Sequence, residues 1–155
     1  MDLARNLLID SVSRLHPTGP RRVTPRQTIR EAVALMRQER VGCLLVCDGD
    51  RLEGIFTERD LMTRVLAVRR SLDIPVSECM TRSPTMVDPR ESVGAALRRM
   101  EEGGYRHLPV VAHDGTPEGI LSVKRIVHYV VEHFPQAVYN LPPDPAVVPD
   151  NAEGA

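Results

Sequence analysis

Apolar residues follow two different periods between residues 20 and 70, and the change of period marks the secondary-structure elements. Apolar positions three and four apart predict a helix, whose apolar face is formed by Ile29, Ala32, Val33 and Met36. After it come a buried strand, a polar turn, a second strand and a second helix, at 43–47, 48–50, 52–56 and 58–68. With the short extended segment before Pro25, the predicted order is β-α-β-β-α.

The same order of elements occurs a second time along the chain. Pro25 is matched by Pro89, 64 residues later, and Gly54 is matched by Gly119, 65 residues later. In the second copy the apolar face of the helix is formed by Val93, Ala96, Leu97 and Met100. The two strands are predicted at 108–111 and 117–121, and the closing helix at 123–133. The sequence therefore contains an internal duplication.

Neither half is large enough to bury both faces of a sheet and both helices alone. We therefore expect an α/β (α+β) fold of two β-α-β-β-α repeats that pack together with pseudo-two-fold symmetry. The predicted divisions are an N-terminal helix and linker (1–19), repeat 1 (20–70), a linker (71–83), repeat 2 (84–133) and a Pro-rich tail (134–155). Within them we expect an amphipathic helix at 3–15, a short linker helix at 76–80 and an extended or disordered end beyond Leu141.

Charge and composition exclude several partners. The 155-residue chain has a formal net charge of −1, which offers no basic surface for nucleic acid. No apolar run is long enough to cross a bilayer, and the first residues lack the apolar core of a signal peptide. We therefore expect no nucleic-acid or membrane partner and a cytoplasmic location.

Neither a metal site nor a catalytic site is predicted. Cys43 and Cys47 lie four residues apart on a predicted strand, so about 13 Å separates them, too far to share one zinc ion. The sequence has no HExxH motif, no Gly-rich P-loop and no adjacent nucleophile and base. His128 and His133 lie five apart on a predicted helix and face different ways.

Each repeat contains a strand that turns directly into a helix at a hydroxyl residue. In repeat 1 this is Thr57, followed three residues later by Asp60; in repeat 2 it is Ser122, followed by Arg125. One interpretation is a capping box that stabilises the helix start. The other is a ligand site, because a helix N-terminus attracts anions and a carboxylate accepts hydrogen bonds from a ribose diol. The motif alone does not separate the two.

The duplicated unit resembles the CBS domain, and residues 20–133 resemble a stand-alone CBS pair (a Bateman module). The resemblance rests on three motifs in order, Gly54-Ile55-Phe56-Thr57-Glu58-Arg59-Asp60, Cys79-Met80-Thr81-x-x-Pro84-Thr85-Met86-Val87 and Tyr105-Arg106-His107-Leu108-Pro109-Val110-Val111. It implies binding of AMP, ADP or ATP, less often S-adenosylmethionine or NAD, in clefts between the repeats. It also implies homodimerisation into a flat disc and regulation rather than catalysis.

The resemblance also implies which residues bind the ligand. One site would combine residues of both repeats, with Asp60 on the ribose, namely Thr57, Arg59, Asp60, Pro84, Thr85, Met86, Tyr105, Arg106 and His107. The related second site would use Thr24, Val41, Gly42, Ser122, Lys124 and Arg125. Because Arg125 cannot accept a hydrogen bond from a ribose diol, we expect this second cleft to be empty or to bind nucleotide differently and more weakly.

These residues are compatible with three functions. The leading hypothesis is an adenine-nucleotide sensor that signals energy state to a regulated protein, which the sequence does not identify. The alternatives are a dimerisation or interaction scaffold without a ligand, and an NAD- or S-adenosylmethionine-binding pair; catalysis is not expected. The closing helices carry apolar residues that would form a dimer surface or pack internally, namely Leu61, Val65, Leu66, Ile126, Val127 and Val130.

Overall fold

The computed structural model describes residues 2–136 of the chain. Repeat 1 consists of β1 (Arg22–Val23), α2 (Ile29–Glu39), β2 (Cys43–Asp48), β3 (Arg51–Thr57) and α3 (Glu58–Asp60), which continues as a π-helix (Leu61–Leu66). Repeat 2 consists of α4 (Val93–Gly103), β5 (His107–Val111), β6 (Pro117–Ser122) and α5 (Val123–His133). Before repeat 1 lie α1 (Leu3–Ile9) and a 3-10 helix (Val12–Leu15); between the repeats lie a 3-10 helix (Val76–Glu78) and β4 (Thr81–Arg82).

The two repeats have matching sheets. In repeat 1 the strand order is β1-β2-β3-β4, with β1 parallel to β2 and the other pairs antiparallel. In repeat 2 the β5-β6 pair is flanked by a parallel bridge between Val87 and Val110 and an antiparallel bridge between Thr18 and Ile120. The predicted β-α-β-β-α order in two pseudo-symmetric repeats is therefore confirmed.

The segment that precedes each repeat packs on the other repeat. Val12 and Leu15, which precede repeat 1, lie in the hydrophobic core of repeat 2 with Val87 and Leu108. The linker that precedes repeat 2 lies in the core of repeat 1, through Val76, Cys79 and Met80. Neither core is complete without a segment from outside its own repeat.

The two sheets meet through one face of β2. Residues 43–47 are all buried because both faces of this strand are covered, which explains the continuous apolar run in the sequence. Leu44 and Val46 pack among the helices of repeat 1. The opposite face packs against Ile55 and Ile120 through Cys43, Leu45 and Cys47. Ile120 belongs to β6, so this cluster joins the repeats.

Three expectations change in detail. The predicted helix at 3–15 is interrupted, because Asp10 and Ser11 have extended backbone conformations. Asp10 instead accepts hydrogen bonds from Tyr129 and Arg14, which fixes the bend against α5. The predicted linker helix is a single 3-10 turn, and the tail beyond Gln136 lies outside the described residues.

The closing helices divide their apolar residues between core and surface. Val65 and Ile126 are buried in the two cores, and Leu61 and Val130 pack against them, which is the internal packing considered above. Leu66 and Val127 are more than half exposed. None of the helices described within residues 2–136 has the length and apolar character needed to span a membrane.

The crossed packing predicts that Leu15, before repeat 1, is a core residue. Leu15 is 2% exposed, so Leu15→Ala is expected to lower the free energy of unfolding by about 2–5 kcal/mol, because a buried leucine is replaced by a cavity. Urea denaturation followed by circular dichroism measures the change. The control is Ile9→Ala, since Ile9 is 65% exposed and surface changes usually stay within about 0.5 kcal/mol. Equal effects of the two changes would contradict the crossed packing.

Candidate functional site

A cavity of about 810 Å³ lies between the two repeats. Repeat 1 contributes residues of α2, the turn after it and the start of α3, while repeat 2 contributes the ends of β5 and β6 and the start of α5. Its apolar wall includes Val33, Met36, Val41, Leu61 and Ile120. The cavity is within the size range typical of small-molecule sites.

The cavity is strongly basic. Five cationic side chains line it, together with two histidines and a single carboxylate, that of Glu58; the five are Arg21, Arg37, Arg40, Lys124 and Arg125. Charged side chains of one sign in a partly enclosed cleft concentrate their electric field there and attract ligands of the opposite charge. The arrangement is therefore suited to an anion.

The start of α5 is fixed by the capping that the sequence predicts. The Ser122 hydroxyl accepts a hydrogen bond from the Arg125 backbone N–H at 3.1 Å. The Arg125 side chain donates through Nε to the Leu15 carbonyl at 2.7 Å, so the N-terminal segment holds it in place. Lys124 and Arg125 thereby stand at the positive end of the α5 dipole, which adds to the attraction for an anion.

Arg40 stands in an unusual backbone conformation at the end of α2. Its φ is 54° and its ψ is 45°, in the left-handed region, and its N–H donates to the Met36 carbonyl. The matching position in repeat 2, 64 residues later, is Gly104, with φ 67°. Glycine adopts this conformation without steric cost, whereas for a residue with a Cβ it costs about 1–2 kcal/mol.

His107 and Cys43 line the cavity where the repeats meet. Burial lowers the pKa of His107; the charge of Glu58 opposes this and that of Arg106 adds to it. The imidazole is therefore neutral at pH 7 and offers one donor and one acceptor. Burial, with a contribution from Asp60, raises the pKa of the Cys43 thiol to about 12. Cys43 is therefore protonated at neutral pH and is a poor nucleophile and metal ligand.

Glu58 approaches the cavity over Gly42. Its N–H donates to the Gly42 carbonyl at 3.0 Å. A Cβ on Gly42 would lie 3.2 Å from the Glu58 carboxyl carbon, so the missing side chain leaves room for the carboxylate. Glu58 is thus the acceptor that the cavity has in place of an acid at position 125.

Asp60 and Thr57 form a capping box at the start of α3, which is one of the two interpretations of this motif. It is 6% exposed, and it accepts hydrogen bonds from the Thr57 N–H at 3.0 Å and the Thr57 hydroxyl at 3.1 Å. Its other oxygen lies 3.4 Å from the Thr81 hydroxyl and 3.5 Å from the Arg64 Nε. A ribose diol would have to displace some of these donors.

The first predicted set is only partly brought together. Arg59 crosses to repeat 2, where it donates to the Gly104 carbonyl at 3.4 Å, beside Tyr105. Pro84 is buried and Thr85 half-buried, whereas exposed positions are occupied by Met86, Tyr105 and Arg106. Among the residues that line the described cavity, His107 alone comes from this set. The Asp60 site therefore stays a prediction.

Most of the second predicted set lines the cavity. These residues are Val41, Gly42, Ser122, Lys124 and Arg125, whereas Thr24 is not in its wall. Further polar residues of the wall were not predicted from the sequence, namely Thr18, Arg21, Arg37, Arg40, Glu58 and His128. The sequence contained one signal for Arg40, because the matching position of repeat 2 is a glycine, Gly104.

Comparison with known proteins agrees with the duplication. The model of the CBS domain matches the chain twice, at residues 12–67 and 76–132. The chain belongs to the CBS-domain family. As a CBS pair it is similar to a CBS domain protein from Pyrobaculum aerophilum complexed with AMP, with 28% identity, a TM-score of 0.71 and coverage of 75% of this chain and 89% of that one.

Two curated relatives differ in how much of their length this CBS pair spans. An uncharacterised 17.7 kDa protein of Acidianus ambivalens is 34% identical over 122 residues, which is 78% of this chain and 73% of that protein. The CBS domain-containing protein CBSCBSPB3 of Arabidopsis thaliana is 29% identical over 110 residues, which is 70% of this chain but 20% of that protein.

The burial of His107 predicts its titration. Its pKa is expected to lie below the ordinary value of about 6.5, because burial disfavours the charged imidazole more than Glu58 favours it. Glu58→Gln removes the opposing charge and should lower the pKa further. NMR titration of the imidazole resonances measures both values. A pKa for His107 at or above the ordinary value, or one that rises in Glu58→Gln, would contradict this environment.

Proposed function

We propose that this CBS pair is a regulatory module that binds an adenosine-containing nucleotide in the cavity between its repeats. The observation that carries the proposal is the basic cavity itself, which draws its walls from both repeats. The AMP complex of the similar Pyrobaculum protein supports an adenosine ligand. This assignment uses the cleft of Ser122 and Arg125 rather than that of Asp60.

The cavity has separate surfaces for the parts of a nucleotide. Its apolar wall can cover a base, and its cationic side chains can neutralise phosphate; guanidinium groups do so with paired hydrogen bonds. The Glu58 carboxylate is an acceptor for sugar hydroxyls. S-adenosylmethionine carries a positive sulfonium, which five cations disfavour, so this alternative suits the cavity less well.

Regulation would follow from the position of the ligand. A ligand that contacts both repeats stabilises the arrangement in which the cavity is formed, and it does so in proportion to its differential affinity for that arrangement. At a hundred times its Kd it adds about 2.7 kcal/mol of stability. A partner protein that distinguishes the two arrangements would then sense the nucleotide. We propose a regulatory rather than a catalytic role; in the cavity, burial keeps the Cys43 thiol protonated, which makes it a poor nucleophile.

We also propose a homodimer that uses the exposed parts of the closing helices. Leu66 is 55% exposed and Val127 is 54% exposed, and Met62 and Val131 extend these surfaces. Exposed apolar patches of this kind mark interaction sites. The hexameric CBS-CP12 protein, 25% identical to this chain, is an oligomeric relative.

A matched pair of variants locates the ligand. Lys124 lines the cavity, and Arg59 is its counterpart in the other cleft, 65 residues earlier. Lys124→Ala is expected to weaken nucleotide binding about tenfold through loss of a charge-assisted contact, while Arg59→Ala changes it less than about twofold. Isothermal titration calorimetry with AMP, ADP and ATP measures the dissociation constants, and NAD and S-adenosylmethionine serve as further ligands.

The opposite pattern, with Arg59→Ala weakening binding and Lys124→Ala leaving it unchanged, would place the ligand in the Asp60 cleft. Both side chains are exposed, so neither substitution is expected to disturb folding, and thermal melting checks this. If no nucleotide bound the wild-type chain while it formed a stable dimer, the scaffold function would be correct instead.

A further inference from the structure

The charges in the two clefts between the repeats are distributed unequally. The cavity is lined by Arg37, Arg40 and Arg125, while the duplication places Glu101, Gly104 and Asp60 at the matching positions of the other cleft. Each of these differences makes the cavity more positive than its counterpart. The whole chain has a formal net charge of −1, so the concentration of positive charge is local to this cavity.

Three of the cations are available to a ligand. Arg21 pairs with Glu39 at 2.8 Å, and Arg125 donates to a carbonyl oxygen. By contrast, the side chains of Arg37, Arg40 and Lys124 make no hydrogen bond or ion pair with any residue between 2 and 136. These cations stand without a protein anion in a cleft whose one carboxylate is Glu58.

Arg40 occupies a backbone position that suits glycine. Repeat 2 ends the matching helix with glycine, which is the residue that suits the left-handed conformation, whereas repeat 1 places an arginine there at φ 54°. The position therefore carries a steric cost that glycine would remove. Arg69 has the same conformation outside the cavity wall. The role of Arg40 therefore follows from its place in that wall, where it adds a cation that repeat 2 lacks.

We propose that the cavity selects nucleotides by the number of their phosphates, and that Arg37, Arg40 and Lys124 bind the terminal phosphates. This inference rests on the proposed function and adds the class of ligand to it. Each additional phosphate adds negative charge at neutral pH, so binding strengthens from AMP to ADP to ATP. The preference is electrostatic and weakens as salt screens these partly exposed groups.

The test compares two arginines that share a backbone conformation. Arg40 lies at the cavity with φ 54°, and Arg69 lies outside its wall with φ 56°. Arg40→Gly and Arg69→Gly both remove a left-handed arginine, so both should leave the melting temperature of the free protein equal or higher. Titration calorimetry with AMP and ATP, in buffer without magnesium, measures the ratio of the two dissociation constants for each protein.

The wild-type chain and Arg69→Gly are expected to bind ATP at least about tenfold more tightly than AMP. In Arg40→Gly the affinity for ATP should fall about tenfold, and that for AMP much less, because one charge-assisted phosphate contact is lost. Equal binding of AMP and ATP by the wild type, or an unchanged ratio in Arg40→Gly, would overturn the inference and leave the proposed function intact. If the wild-type chain bound no nucleotide at all, both the inference and the proposed function would be wrong.

Discussion

Burial of both faces of β2 is the constraint on which the rest of the structure depends. One face of the strand, with Leu44 and Val46, completes the core of repeat 1, and the other, with Leu45, packs on repeat 2. Separation of the repeats would expose this second face to water, at a free-energy cost of about 25 cal/mol for each Å² of apolar surface. The repeats therefore hold each other in one arrangement, and the cleft at their junction acquires a defined shape.

The fold followed from the sequence because its signals are local and occur twice. The run at 43–47 is apolar at every position because the strand is buried on both faces, and α5 begins and ends at the predicted residues. The crossed packing did not follow, since nothing in the local pattern around Val12 or Val76 states which repeat it completes. The interruption at Asp10 likewise depends on Tyr129, which is distant in sequence.

The site was less accessible to sequence reasoning, because it depends on which side of each element faces the cleft. Ser122 and Lys124 were predicted from the family resemblance, but Arg37 and Glu58 line the cavity only through the packing of α2 and α3 on repeat 2. The acid in Thr57-x-x-Asp60 fits a cap and a ribose site equally well, and the structure has the cap. Position 125 suggested a weak site because one acceptor was missing, while the surrounding cations came from other segments.

The central claim is that the basic cavity between the repeats is the nucleotide site. A crystal structure of the chain grown with ATP tests it most directly. The account predicts electron density for the nucleotide against Val41, Ser122 and Lys124, with phosphates near Arg37 and Arg40. Density seated instead against Thr57 and Asp60, with this cavity unoccupied, would contradict it.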